Sequence, residues 1–263
     1  MSNFVGCARC AGWIRFELTE RIAINMQSVL LITGWGVGVE PLQHLQQQLR
    51  GAGCVAEVIN IFDAADPIAF QATLAKVQHY DVLVGWSLGG QLATLLAQQF
   101  WEQTGIAKTL ITLASNPCFV QREAWPWAMP DVDFQAFKQS FYAQPQSCIK
   151  RFCYLLTQGD VQAKNNWLSL QSLIVPQDDR LMKESLELLE TLNLVSMLKQ
   201  YQGKQLHLFA SQDALVDHRI AQYCQQLTAK FLSVDYVEGS HSFPFFQDAE
   251  TSDKILKFIS END

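Results

Sequence analysis

The pentapeptide Gly85-Trp86-Ser87-Leu88-Gly89 sets a serine midway between two glycines, at the junction of an apolar strand-like run, VLVGW, and a helix-like run, LGGQLATLLAQQFWEQTG. A strand that passes directly into a helix strains the backbone of its apex residue. It also crowds the residues two before and two after, and glycine relieves that clash. The apex side chain is left exposed. The next amide, that of Leu88, falls at a helix N-terminus, where unpaired donors and the helix dipole favour negative charge. The chemistry this suits is attack by the Ser87 hydroxyl on a carbonyl, with the oxyanion received by backbone N–H groups. The plainer explanation, a glycine-rich turn that only permits close packing, fits GxSxG alone but not its placement between a buried strand and an amphipathic helix.

A serine hydroxyl needs a base, and the base needs an acid to fix its tautomer and stabilise its charged form. Of five histidines, His44 falls on a polar helix, His79 precedes a strand, His207 lies within one and His218 opens a helix; surface or packing roles suit all four. His241 lies in VEGSHSFPFFQ, just past the last strand-like run, where Pro244 is expected to stop early helix growth. For the acid, Asp213 in FASQDALVD follows the strand LHLFA by a few residues, whereas Asp217 suits the cap of the helix DHRIAQ. Position favours Asp213. The chain order Ser87, Asp213, His241 is that of a strand-turn-helix serine hydrolase, and the turn ITGWGVG supplies a second oxyanion donor in the Trp35 amide.

These residues need a scaffold that brings strand ends together. Strand-like runs SVLLITG, VAEVINIF, DVLVGW and AKTLITLAS alternate with helix-like PLQHLQQQLRGAG, IAFQATLAKVQ and the helix after Ser87. After Asn116 about eighty residues of aromatic and glutamine-rich helical pattern carry no convincing strand, including FQAFKQSFYAQ, SCIKRFCYLLTQ and RLMKESLELLETLNLVSML. Alternation resumes with KQLHLFAS, DHRIAQYCQQLTAK, FLSVDYVEG and AETSDKILKFISEN. The expected fold is α/β: a doubly wound, mostly parallel sheet over residues 1–116 and 197–263 with an inserted helical cap over 117–196. Residues 1–25 read as a peripheral extension that contains a strand candidate, WIRFEL.

The 263 residues carry a net charge of -7, which argues against a protein whose whole surface neutralises nucleic-acid phosphates and leaves room only for a local basic patch. Charges at Arg9, Arg15, Glu17, Glu20 and Arg21 interrupt the first segment, so neither a signal peptide nor a membrane span is expected. Seven scattered cysteines fit a reducing cytoplasm. Cys7 and Cys10 form a CxxC pair with no second pair or spaced histidines, which argues against a metal or redox role. No metal and no cofactor are implied.

The segments LLITGWG, VGWSLGG, ASNPCFVQREAWPWAMPDV and KRFCYLLTQGD together resemble α/β-hydrolases, and among them the pimeloyl-[acyl-carrier protein] methyl ester carboxylesterases of biotin synthesis. The resemblance spans most of the chain after Met26. It implies an α/β-hydrolase fold and a cytoplasmic serine esterase, expected to act as a monomer, that hydrolyses the methyl ester of pimeloyl-[acyl-carrier protein] to pimeloyl-[acyl-carrier protein] and methanol. It assigns nucleophile, acid and base to Ser87, Asp213 and His241. Substrate contacts fall to Trp35, Ser87, Leu88, Phe152, Cys153, Tyr154, Leu155, Leu156 and His241, and carrier-protein docking to Lys150, Arg151 and Lys164. Ser147 and Leu168 stand where the family has further arginines, Thr33 replaces the usual histidine before Gly34, and IFDAADP lacks a glycine-rich turn. The cap aromatics Phe134, Phe137, Phe141, Tyr142, Phe152 and Tyr154 suit an apolar slot or helix packing equally. The rival readings are a thioesterase or general short-chain carboxylesterase and, outside catalysis, a silent hydrolase-like binding protein.

Overall fold

The computed structural model describes residues 26–261, so the WIRFEL run and the Cys7–Cys10 pair lie outside the described residues. Six strands, β1 (Ser28–Ile32), β2 (Val55–Ile59), β3 (Val82–Trp86), β4 (Thr109–Leu113), β5 (Gln205–Ala210) and β6 (Leu232–Val237), form one sheet in the order β2-β1-β3-β4-β5-β6. Every pairing is parallel. β3 and β5 are buried along their whole length and β1 and β4 nearly so, which is why their sequences are continuous apolar runs. The edge strands β2 and β6 are partly exposed and alternate in character.

The strand order reverses direction between β1 and β3. The chain steps outward from β1 to β2 through α1 (Gln43–Gly51), then returns over β1 to β3 through α2 (Pro67–Val77). Right-handed crossovers in opposite directions put those two helices on opposite faces. The long α3 (Leu88–Thr104) follows β3 and packs on α2. Between β4 and β5 the described residues hold five helices and no strand: α4 (Asp131–Ala143), α5 (Pro145–Thr157), α6 (Ala163–Leu173), α7 (Asp179–Thr191) and α8 (Val195–Gln200). The Leu194 N–H donates to the Pro117 carbonyl at 2.9 Å, so this excursion leaves and rejoins the sheet region at one point. The chain ends with α9 (Ile220–Gln226), α10 (Phe243–Phe246) and α11 (Asp248–Ser260), and α11 packs on α1.

Three local expectations are corrected. The run RLMKESLELLETLNLVSML is two helices, because the chain must turn back at Leu192–Leu194 to reach Pro117. The helix expected over DHRIAQYCQQLTAK is shorter at both ends: Asp217 and Arg219 pair with each other before it, and Thr228 adopts φ 53° after it. Pro244 does not block a helix; it sits in the first turn of α10, where the missing N–H costs nothing.

His207 is buried in β5, its Nδ1 2.6 Å from the Thr112 hydroxyl of the neighbouring strand. Among the described residues no protein group pairs with its Nε2. Burial pushes its pKa down from 6.5 to about 4. Above pH 6.5 folded and unfolded chains both hold it neutral, and below that the unfolded chain takes up a proton that the folded chain refuses until about pH 4. Stability therefore falls as pH drops through this window, by on the order of 3 kcal/mol for this group. Urea midpoints measured from pH 7 to 4.5 should fall less steeply in His207→Gln than in the parent, and equal slopes would refute the assignment.

Candidate active site

The elbow after β3 has the geometry its glycines anticipate. Ser87 adopts φ 55°, ψ −122°, a conformation an L-residue holds only under constraint. A Cβ on Gly85 would lie 2.1 Å from the Gly89 carbonyl oxygen, and one on Gly89 would lie 2.2 Å from that of Thr33. No side chain fits at either place. The apex is also pinned from outside, the Ser87 N–H donating to the Leu113 carbonyl at 2.9 Å. Leu88 opens α3, whose first N–H groups have no intrahelical acceptor.

Sheet register then assembles the partners. Ile32 of β1 pairs with Gly85 of β3, so the turn that follows β1 and carries Trp35 emerges beside Ser87 at the point where the strand order reverses. Ala210 pairs with Val237 at the ends of β5 and β6, and the pairing runs on as Ser211 N–H to the Val237 carbonyl, 3.0 Å, and Gln212 N–H to the Gly239 carbonyl, 2.9 Å. These contacts bring the Asp213 and His241 loops together. His241 Nδ1 lies 2.7 Å from Asp213 Oδ2, and His241 Nε2 lies 3.0 Å from Ser87 Oγ. The Asp213 and His241 side chains are both fully shielded from solvent.

Asp213 has no freedom to leave this arrangement. Its Oδ1 accepts from the Leu215 and Val216 N–H groups at 2.8 and 2.9 Å, which leaves Oδ2 for the imidazole. Asp217, the alternative, accepts from the Arg219 N–H and guanidinium, and those hydrogen bonds hold its carboxyl below the usual range. It makes no contact with His241.

Ser87 opens into a chamber of about 330 Å³ whose wall includes Trp35, Phe134, Phe137, Phe152, Leu155 and Leu189. Trp35 is the hub of the apolar side: its ring meets Phe137, Phe141 and Phe152 edge-on at centroid distances of 5.0–5.3 Å, and its Nε1–H donates to the Met182 carbonyl at 2.9 Å. Asp133 and Arg151 are the only charged side chains on the wall among the described residues. Cys148 also lines it, and burial pushes its thiol pKa up, so it offers no competing thiolate near neutral pH.

The resemblance assigned the five consecutive residues Phe152–Leu156 to substrate, and the helix separates them. On α5, positions 148, 151, 152 and 155 share one face, and these line the chamber. Cys153 faces a second cavity of about 370 Å³, where burial raises its thiol pKa to about 11. Tyr154 points to solvent, 53% exposed. Leu156 is buried, and its carbonyl accepts the Ser242 N–H at 3.0 Å, which braces the His241 loop. Of the six cap aromatics, Phe134, Phe137 and Phe152 line the chamber, Phe141 packs on Trp35, and Tyr142 and Tyr154 are exposed. Lys150, Arg151 and Lys164 share no cavity: Arg151 is on the chamber wall, Lys150 borders the second cavity and Lys164 is exposed on α6.

Other lining residues were missed by the sequence reading, among them Met129, Asp133, Leu189 and Leu215. They lie on separate segments and share no spacing. The NPCF…REAWP stretch explains one: Asn116 Oδ1 accepts from Trp125 Nε1 at 2.9 Å and from the Cys118 N–H at 3.2 Å, tying a loop whose Phe119 and Met129 face the chamber. Thr33, where the family has histidine, is buried and donates to Asn60 Oδ1 at 3.0 Å, joining the turn after β1 to the end of β2. Among the described residues no three His, Cys, Asp or Glu side chains cluster as a metal site, and no helix is long and apolar enough to cross a membrane.

With this sheet, elbow and loop order, the chain belongs to the alpha/beta hydrolase family, whose model matches residues 29–254. Within it, the chain is similar to the pimeloyl-[acyl-carrier protein] methyl ester esterase of Salmonella paratyphi A, 28% identical over 229 residues that cover 82% of this chain and 87% of the relative. It is also 33% identical over 221 residues to the biotin biosynthesis bifunctional protein BioHC of Cellvibrio japonicus, covering 81% of this chain and 43% of that one. Among solved structures, a bromoperoxidase from Bacillus anthracis superposes with a TM-score of 0.74 and an esterase from Exiguobacterium antarcticum with 0.73. Each is 15% identical, covering 89% of this chain and 92% of its own, a likeness of fold.

Proposed function

We propose that the protein is a serine carboxylesterase that hydrolyses the methyl ester of pimeloyl-[acyl-carrier protein], releasing methanol and the carrier-bound acid, as the named function of its Salmonella relative suggests. The observation that carries the reading is the hydrogen-bonded series Asp213–His241–Ser87 at the wall of an apolar chamber. Ser87 Oγ attacks the ester carbonyl while His241 Nε2 takes its proton, and Asp213 stabilises the imidazolium. The oxyanion rests on the backbone N–H groups of Leu88 and Trp35. Collapse of the tetrahedral intermediate passes the proton to the departing methoxide, and a water activated by His241 then cleaves the acyl-enzyme.

In this reading the helices between β4 and β5 act as a cap. The aromatic wall takes the methylene chain, and the Arg151 guanidinium at the chamber meets the acidic carrier, with Lys150 and Lys164 adding positive charge on the same helical excursion. No metal or organic cofactor takes part, and the enzyme works as a cytoplasmic monomer.

The test compares a methyl pimeloyl carrier thioester with dimethyl pimelate and short-chain esters. The carrier-bound ester should be turned over with kcat/KM at least about tenfold higher, because remote binding energy is available only to it. Equal values would reassign the protein as a general short-chain carboxylesterase. Release of free thiol in place of methanol would make it a thioesterase.

A further inference from the structure

The tryptophan that precedes the elbow serine takes no part in the chemistry above, yet it lies against two loops that do. Trp86 is fully buried, and its Nε1–H donates to the backbone carbonyl of His241 at 2.9 Å. Its ring lies 5.3 Å from the imidazole and meets Phe245 edge-on at 4.6 Å. The ring also fills the space that a side chain at Gly34 would need, a Cβ there coming within 2.6 Å of it. The indole is thus held between the turn after β1 and the loop after β6, on the residue next to the nucleophile.

We propose that Trp86 is a positioning residue: its indole N–H anchors the backbone of His241, so that the residue adjoining Ser87 sets the placement of the base. The inference rests on the reading of Ser87, His241 and Asp213 as a catalytic triad. Any buried indole N–H must find an acceptor, and what matters is which one. Here the donor meets the carbonyl of the base itself, in a site that water does not reach to substitute. The His241 loop has a second brace from the Ser242 N–H to the Leu156 carbonyl at 3.0 Å. Both anchors hold the one peptide unit between His241 and Ser242, through its C=O and its N–H, so losing the first lets that plane pivot on the second and shifts the ring from its 3.0 Å contact with Ser87 without unfolding the loop. Misplacement of a catalytic group by a fraction of an ångström costs about tenfold in turnover.

The test replaces Trp86 by its benzothiophene isostere, which keeps the bicyclic shape and lacks the N–H, with Trp86→Phe as a second variant. Both are assayed on a p-nitrophenyl ester and with a fluorophosphonate probe. The isostere should melt with the parent, lose about tenfold in kcat with KM within twofold, and be labelled about tenfold more slowly. Full kcat and full labelling rate in the isostere would overturn the proposal, whatever Trp86→Phe does, because only packing would then be at stake. Activity surviving in Ser87→Ala would instead overturn the triad reading beneath it, a separate result on the same assay.

Discussion

Ser87→Ala protein should hydrolyse esters on the order of 10⁶-fold more slowly than the parent while melting at nearly the same temperature. The loss is of this size because His241 then has no oxygen to deprotonate on the wall of the chamber, and Cys148, its thiol kept protonated by burial, does not replace it. Stability is spared because the elbow is held by its glycines and by the Ser87 N–H bond to the Leu113 carbonyl, which alanine retains. Methanol or p-nitrophenol release, a thermal melt and fluorophosphonate labelling decide the matter together. A well-folded variant with parental turnover would refute the nucleophile assignment.

Asp213→Asn should cost about 10⁴-fold in kcat, by the arithmetic of a base locked in the wrong tautomer. Asparagine is isosteric, and its carbonyl oxygen can keep accepting from the Leu215 and Val216 N–H groups as Oδ1 does now. That leaves the amide NH₂ facing His241 Nδ1. The ring must then carry its proton on Nε2, where it cannot take one from Ser87. Asp217→Asn provides the contrast: its carboxylate serves Arg219, so turnover should change by less than about threefold. Steady-state kinetics on both variants tests the choice, and it fails if Asp217→Asn is the one that loses activity.

Much of this site was legible because its signals are local. GxSxG between an apolar run and an amphipathic run dictates a steric outcome, and the clash distances at Gly85 and Gly89 show how little else fits. His241 and Asp213 stood out because strands that end in loops at the carboxyl edge of a parallel sheet deliver side chains there. The helices between β4 and β5 were less legible. Phe152–Leu156, taken as a block of substrate contacts, divides among chamber, second cavity, core and solvent, because successive helical residues point about 100° apart.

The sequence by itself determined the strand-helix alternation, the apolar strands that demand cover on both faces, the strained turn at Ser87 and the chain order Ser87, Asp213, His241. Each of these follows from neighbours along the chain, where periodicity and sterics act at short range. Tertiary structure alone decided that Asp213 Oδ2 comes within 2.7 Å of the His241 imidazole, which faces of α4 and α5 line the chamber, and that the Trp86 indole meets the His241 carbonyl across 155 residues of sequence separation. Those outcomes depend on sheet register and helix rotation. Both are settled when distant segments pack into one core, because a helix turns whichever face best fills the space left to it.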